Sequence, residues 1–235
     1  MKRTCRTNRQ GFTLVELLTV IIIIGFLAGM VAGVAPSVMR SVKQSAIRAE
    51  IQQLSMALEA YKAEHGEYPP DRSDYVSKHI MRCYPDANSS SVYTTVTPEN
   101  ALYVFLGPHN ANPRQPFNVA PKQGNNLTKA FFEFAPERVD GNYRYYPSGC
   151  TQPYIYLKSR GATGNKRYYT YGSYPVYQDE NGIWYNPETY QIISAGLDDD
   201  WGKTGAIQVG EGTIDTATGD NIVNFGKKLV KDLLD

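Results

Sequence analysis

The chain has 235 residues, 42% hydrophobic and 20% charged, with a formal net charge of +1. Its 24 basic and 23 acidic residues give no clustered Lys and Arg footprint, which excludes nucleic acid as the partner. The length allows one compact domain with its own core behind an N-terminal segment of different character.

That segment opens with a basic leader, residues 1–11, holding Lys2, Arg3, Arg6 and Arg9 and no acid. Behind it runs GFTLVELLTVIIIIGFLAGMVAGVA, in which Glu16 is the one charged side chain. As a helix, residues 12–35 would rise about 36 Å, enough to cross a hydrocarbon core of about 30 Å. The basic flank predicts a cytoplasmic N-terminus, with everything after Pro36 facing outward. A carboxylate in lipid costs roughly 2.5–3.5 kcal/mol on insertion scales, so Glu16 needs a partner. A cut after Gly11 would create one: a free amine at Phe12, one helical turn from Glu16, which a neighbouring copy could offer to this carboxylate. A secretory signal cut at the small-x-small run Gly33-Val34-Ala35 fits less well, because the apolar run is too long and Glu16 interrupts it. A plain single-span anchor leaves Glu16 without a role, and a buried soluble helix would be amphipathic.

Gly11-Phe12-Thr13-Leu14-Val15-Glu16, after a basic leader and before an apolar helix, resembles the cleavage and methylation site of type IV pilins and type II secretion pseudopilins. The resemblance implies that a membrane prepilin peptidase cuts after Gly11 and methylates Phe12. It implies that Glu16 aligns the next subunit in a self-assembled filament on an inner-membrane secretion or pilus platform. The protein would then be a single-pass inner-membrane protein of bacteria with its C-terminal domain in the periplasm. Loss of the leader removes Cys5 and leaves 20 basic against 23 acidic residues. Cys83 and Cys150 remain, an even pair in a compartment where disulfides persist, and a Cys83–Cys150 bridge is expected. Two separate buried thiols are the alternative.

Beyond Pro36 the helical period continues through Val38, Val42, Ile47, Ile51, Leu54, Leu58 and Tyr61, with charged residues between them. Pro36 predicts a kink or local break. Gly25, Gly29 and Gly33 have the spacing that lets membrane helices approach closely. Gly66 supplies a stop, and Pro69-Pro70 prevents resumption, so one helix is predicted over 12–65 and a globular domain over 66–235. The run from Glu59 to Tyr68-Pro69 also resembles the pseudopilin junction after the long helix. Asp71 is placed to cap a short helix through Cys83, and Thr97-Pro98 to start another that Gly107-Pro108 ends. Pro-, Asn- and Gly-rich loops such as 108–126 follow.

Aromatic and β-branched runs at 131–134, 154–158, 167–170, 175–177, 191–195 and 222–225 read as short strands. They predict an α+β fold: a long N-terminal helix, half membrane and half amphipathic, packed on a C-terminal antiparallel β-sheet in a pilin-like arrangement. Twelve of the eighteen tyrosines fall between Tyr143 and Tyr190, which suggests a solvated sheet face built with Tyr or a contact surface for a partner or glycan.

Near the C-terminus, Ser194-Ala195-Gly196-Leu197-Asp198-Asp199-Asp200-Trp201-Gly202 and Thr218-Gly219-Asp220-Asn221-Ile222 place acids beside turn glycines. Such oxygen donors suit Ca²⁺. The stretch resembles the calcium loop of the major type II pseudopilin, which implies Asp198 and Asp220 as side-chain ligands, the Leu197 carbonyl, and Asp200 as an addition. A solvated acidic turn is the alternative. It is not an EF-hand, since Gly202 and Val209 stand where oxygen ligands belong. No catalytic set emerges, so no enzyme is expected. His65, His79 and His109 are read as lacking zinc-ligand spacing with each other or with either cysteine, and no phosphate-binding or nucleophile motif occurs. A filament subunit is the leading reading, a type II pseudopilus ahead of a type IV pilus. The alternative is a membrane-anchored calcium-dependent or glycan-binding module that does not polymerise.

Overall fold

A computed structural model describes residues 12–87, 95–108, 117, 130–160, 168–169, 172–210, 212, 214–226 and 229–233, without the side chains of 31–36. The chain divides into two units, Met1–Val42 and Lys43–Asp235.

Helix α1, Leu14–His65, passes from the first unit into the second. It is one helix through Pro36, so the expected break does not occur. In the first unit its apolar side chains are bare: Leu17, Ile21, Ile24, Leu27 and Met30 are all more than half exposed. Among the described residues no helix is long and apolar enough to cross a membrane. The apolar run is described with side chains only as far as Met30. The helix stops at Gly66, whose amide donates to the Lys62 carbonyl at 2.7 Å and whose φ of +82° suits a residue without Cβ.

In the second unit, Ile47, Ile51, Leu54, Leu58 and Tyr61 of α1 are buried, while Val38 and Val42 of the first unit stay exposed. The stripe read from the sequence is therefore a core stripe from Ile47 onward. It meets Val76 and Ile80 of α2 (Ser73–Cys83) and Leu102, Phe105 and Leu106 of α3 (Ala101–Leu106). Neither short helix is capped by a side chain; Arg72 and Asn100 stand at their starts in place of the expected Asp71 and Thr97.

Strands β1 (Ile155–Lys158), β3 (Tyr190–Ser194) and β5 (Ile222–Val223) form an antiparallel sheet in the order β1-β3-β5. Side chains alternate across it, as strand geometry requires. Tyr156, Ile192 and Ile222 join the helical core, and Ile155, Ile193 and Val223 join a second core. That second core is closed by β2 (Pro175–Gln178), the strand expected at 175–177, paired in parallel with β4 (Gly205–Gln208), which lies outside the predicted strands. After β4, α4 (Thr216–Asp220) leads into β5. The fold is α+β, with the antiparallel sheet covered on both faces.

The structure also departs from the expected strands and from the expected tyrosine face. Residues 131–134 form no strand: the amides of Phe131 and Phe132 donate to the Leu106 carbonyl and pin the segment to the end of α3. The expected solvated face built with Tyr is half core: of the twelve clustered tyrosines six are buried, Tyr169 is exposed, and Tyr171 lies outside the described residues. Tyr145, Tyr154, Tyr156, Tyr168, Tyr177 and Tyr190 are buried. Their hydroxyls reach partners inside, as Tyr156 does at the Pro69 carbonyl (2.9 Å) and Tyr154 at Glu50. A phenol tolerates burial on those terms. The strand expected at 167–170 lies partly outside the described residues; Tyr168 and Tyr169, which are described, are not in a strand.

Candidate functional sites

The N-terminal residues form a reciprocal cap. Thr13 precedes α1, and its amide and hydroxyl donate to Glu16 Oε2 at 2.8 and 2.7 Å. The Glu16 amide donates back to Thr13 Oγ1 at 3.3 Å. Thr followed three residues later by Glu is the capping-box pattern, so two amides without helical partners are satisfied together. In the single chain the carboxylate thus has a local role besides any role toward a neighbour. Phe12 is 83% exposed, and Gly11 lies outside the described residues.

The two halves of the acidic stretch do meet. The amides of Leu197 and Asp198 donate to Asp220 Oδ2 at 2.7 and 3.3 Å. Asp198 Oδ1 accepts from the Asp200 amide at 3.1 Å, and Asp200 Oδ1 from the Gly202 amide at 3.0 Å. Gly196, with φ of +76°, lies so close to Asp220 that a Cβ would come within 2.6 Å of Oδ2. Burial and the neighbouring Asp220 and Asp200 charges push the Asp198 carboxyl up. Asp199 turns away: burial works against it, but hydrogen bonds from Thr151 and Gln152 outweigh this and hold it below the usual carboxylate range. Asp198, Asp200 and Asp220 do not bring an oxygen each within 4.8 Å of one another, so the donor set suits Ca²⁺ but is not preassembled.

The expected Cys83–Cys150 bridge is absent, and both thiols are free and half-buried. Cys83 ends α2, with Sγ 3.6 Å from the His65 carbonyl. Cys150 lies beside Lys43, whose charge it feels, with Sγ 3.7 Å from the Gly196 carbonyl. From Lys43 to His65, α1 rises about 33 Å, far beyond the reach of a disulfide.

A third cluster is the one set of three among the described residues whose His, Cys and carboxylate donor atoms all lie within 4.8 Å: Glu67, His79 and Cys83. The His79 Nδ1 is 2.9 Å from Glu67 Oε1 and 3.7 Å from Cys83 Sγ, and Nε2 is 2.7 Å from the Tyr61 hydroxyl. His79 is buried. Glu67 and His79 line a cavity of about 730 Å³ that Lys62, Asp71, Lys158 and Arg160 also border. The sequence does carry a signal for this cluster. His79 and Cys83 are four residues apart, which on a helix places both on one face.

Residues 6–32 match the family described as the prokaryotic N-terminal methylation motif, the prepilin signature of type IV pilins and pseudopilins. No curated protein and no solved structure matches the chain.

Proposed function

We propose, for a chain that carries the prepilin signature, the role of structural subunit in a type II secretion pseudopilus or a type IV pilus-like filament. Prepilin peptidase cuts after Gly11 and Phe12 becomes the methylated N-terminus. Residues 12–35 hold the chain in the bacterial inner membrane, and the pilin-like domain from 66 onward lies in the periplasm. Assembly transfers the exposed apolar side chains of α1 from lipid into the filament interior, where Glu16 is compensated by a neighbour's Phe12 amine. The observation that carries this reading is the matched motif at residues 6–32, with α1 starting directly behind Phe12. The role is structural, and no reaction is assigned to the chain. The Asp-rich stretch and the Tyr68-Pro69 junction favour the secretion pseudopilus.

Glu16 has two separable duties, and one substitution separates them. Glu16→Gln keeps an oxygen for the Thr13 amide and so keeps the capping box, but it removes the charge. Filament incorporation in cells should fail in Glu16→Gln while the anchored protein accumulates normally. Normal incorporation of the Gln variant would reduce Glu16 to a helix cap, and wild-type protein found only as an anchored monomer would favour a tethered module that does not polymerise.

The acidic turn supports a further reading, Ca²⁺ held by Asp198, Asp220 and the Leu197 carbonyl with help from Asp200. Its support is the mutual repulsion of three nearby acids, which a divalent cation would relieve.

A further inference from the structure

We propose that Glu67, His79 and Cys83 bind a thiophilic divalent cation, with Zn²⁺ as the best fit, and that the metal clamps α2 to the turn that follows α1. The donors are one carboxylate oxygen, one imidazole nitrogen and one sulfur, a mixed set that suits zinc rather than calcium or magnesium. The distances are near those of a tetrahedral site. With Zn–N and Zn–O about 2.0–2.1 Å and Zn–S about 2.3 Å, adjacent ligand atoms stand roughly 3.3–3.6 Å apart. Nδ1 to Sγ is already 3.7 Å. Nδ1 to Oε1, at 2.9 Å, needs to open by only a few tenths of an ångström.

The surroundings also serve such a site. With Nδ1 on the metal, the imidazole carries its proton on Nε2 and donates it to the Tyr61 hydroxyl, which fixes the ring and its tautomer as a hydrogen bond to the far nitrogen of a ligating histidine does. Arg82 and Lys158 reach Glu67 through Oε2, at 3.0 and 3.6 Å, and leave Oε1 to the metal. The thiol gives up its proton to solvent on binding, so Zn²⁺ gains one thiolate, one carboxylate and a neutral imidazole and the charges balance. The cavity beside Glu67 and His79 gives entry and room for water in the fourth position.

The test uses the full chain in detergent with Cys5 and Cys150 changed to Ser, so that Cys83 is the sole thiol. Titration with Co²⁺ should give one equivalent bound, with a thiolate-to-cobalt charge-transfer band that Zn²⁺ abolishes and Ca²⁺ does not. Cys83→Ser should remove the band. Glu67→Gln should weaken Zn²⁺ binding at least about tenfold, since loss of a group that only hydrogen-bonds to a ligand already costs about 10–100-fold. Zn²⁺ should raise the melting temperature of the Cys83 protein and not that of Cys83→Ser. A folded Cys83 protein with no charge-transfer band overturns the proposal and leaves the cluster as ordinary interior contacts. A band that survives Cys83→Ser overturns it equally. Neither result touches the filament reading, which is tested by incorporation of the wild type and of Glu16→Gln.

Discussion

Arg138 lays its guanidinium across Glu50 in two parallel hydrogen bonds, Nη1 to Oε1 at 2.8 Å and Nη2 to Oε2, across 88 positions of sequence. The same carboxylate accepts the hydroxyls of Tyr145, at 2.7 Å, and Tyr154. Glu50 is thus the polar anchor between α1 and the segment before β1, set at the edge of a stripe that is otherwise Ile47, Ile51 and Leu54. Glu50→Ala strips one guanidinium and two phenols of their acceptor at once. A loss of about 2–4 kcal/mol in urea unfolding is expected, the range for a partly buried, hydrogen-bonded charge. Glu50→Gln, which still accepts, should lose less. Equal loss in the two variants would mean that the charge carries the whole interaction.

Gly196 is the second fragile point. It combines a left-handed φ of +76° with the close approach of Asp220, whose carbonyl carbon would be 2.8 Å from a Cβ. Gly196→Ala should destabilise the second unit by more than the roughly 1 kcal/mol of the φ penalty alone, because Asp220 backbone must move. Gly212, also at positive φ but with open space around it, is the control: alanine there should cost only the φ penalty. Similar denaturation midpoints for the two variants would remove the close contact from the explanation.

Much of this architecture is legible in the residues themselves. The α1 stripe from Ile47 to Tyr61 and the apolar runs of β1, β2, β3 and β5 announce themselves by period and composition. Strand β4 does not, because Gly205-Ala206-Ile207-Gln208 buries one side chain of four and starts on a glycine at φ +85°. Phe131 and Phe132 mislead in the opposite direction: aromatic anchors on a loop look like a strand when nothing local tells the two apart. The burial of both sheet faces is hidden for a related reason. Tyr154 and Tyr156 are polar enough at their tips to suggest a wet face, and only the tertiary positions of Glu50 and the Pro69 carbonyl make their burial tolerable. Glu67 reaches His79 across a turn, so the full cluster depends on how α2 folds back against α1.

The acidic turn makes a prediction of opposite signs with and without calcium. Asp198 is pushed up by burial and by Asp220 and Asp200, so removing its charge relieves repulsion. In chelator, Asp198→Asn should melt at the same temperature as the wild type or higher. In millimolar Ca²⁺ the order should reverse, because the wild type gains binding energy and the variant loses a ligand. Melting temperatures that ignore Ca²⁺ in both proteins would mark the stretch as a solvated turn.

Asp71 should impose a pH dependence that runs against the usual direction for a carboxylate. Burial lifts it from 3.8 to about 6, against smaller opposing effects from the Lys158 amide and the charges of Arg160 and Lys158. The folded state therefore prefers the protonated acid. Its contribution is fully present below about pH 4, is lost as the pH climbs to about 6, and is constant above that. At about 1.4 kcal/mol per pH unit the swing is roughly 3 kcal/mol. His79 works the other way in the same window: burial lowers it from 6.5 to about 4 despite Glu67, so stability is lost as the pH falls through that range. The two largely mask each other in the wild type, and Asp71→Asn unmasks them. The variant should match the wild type near pH 4 and exceed it at pH 7, which urea midpoints at pH 4, 5, 6 and 7 would measure. A gain of the same size at every pH would show that the asparagine acts through packing and that Asp71 is ionised throughout.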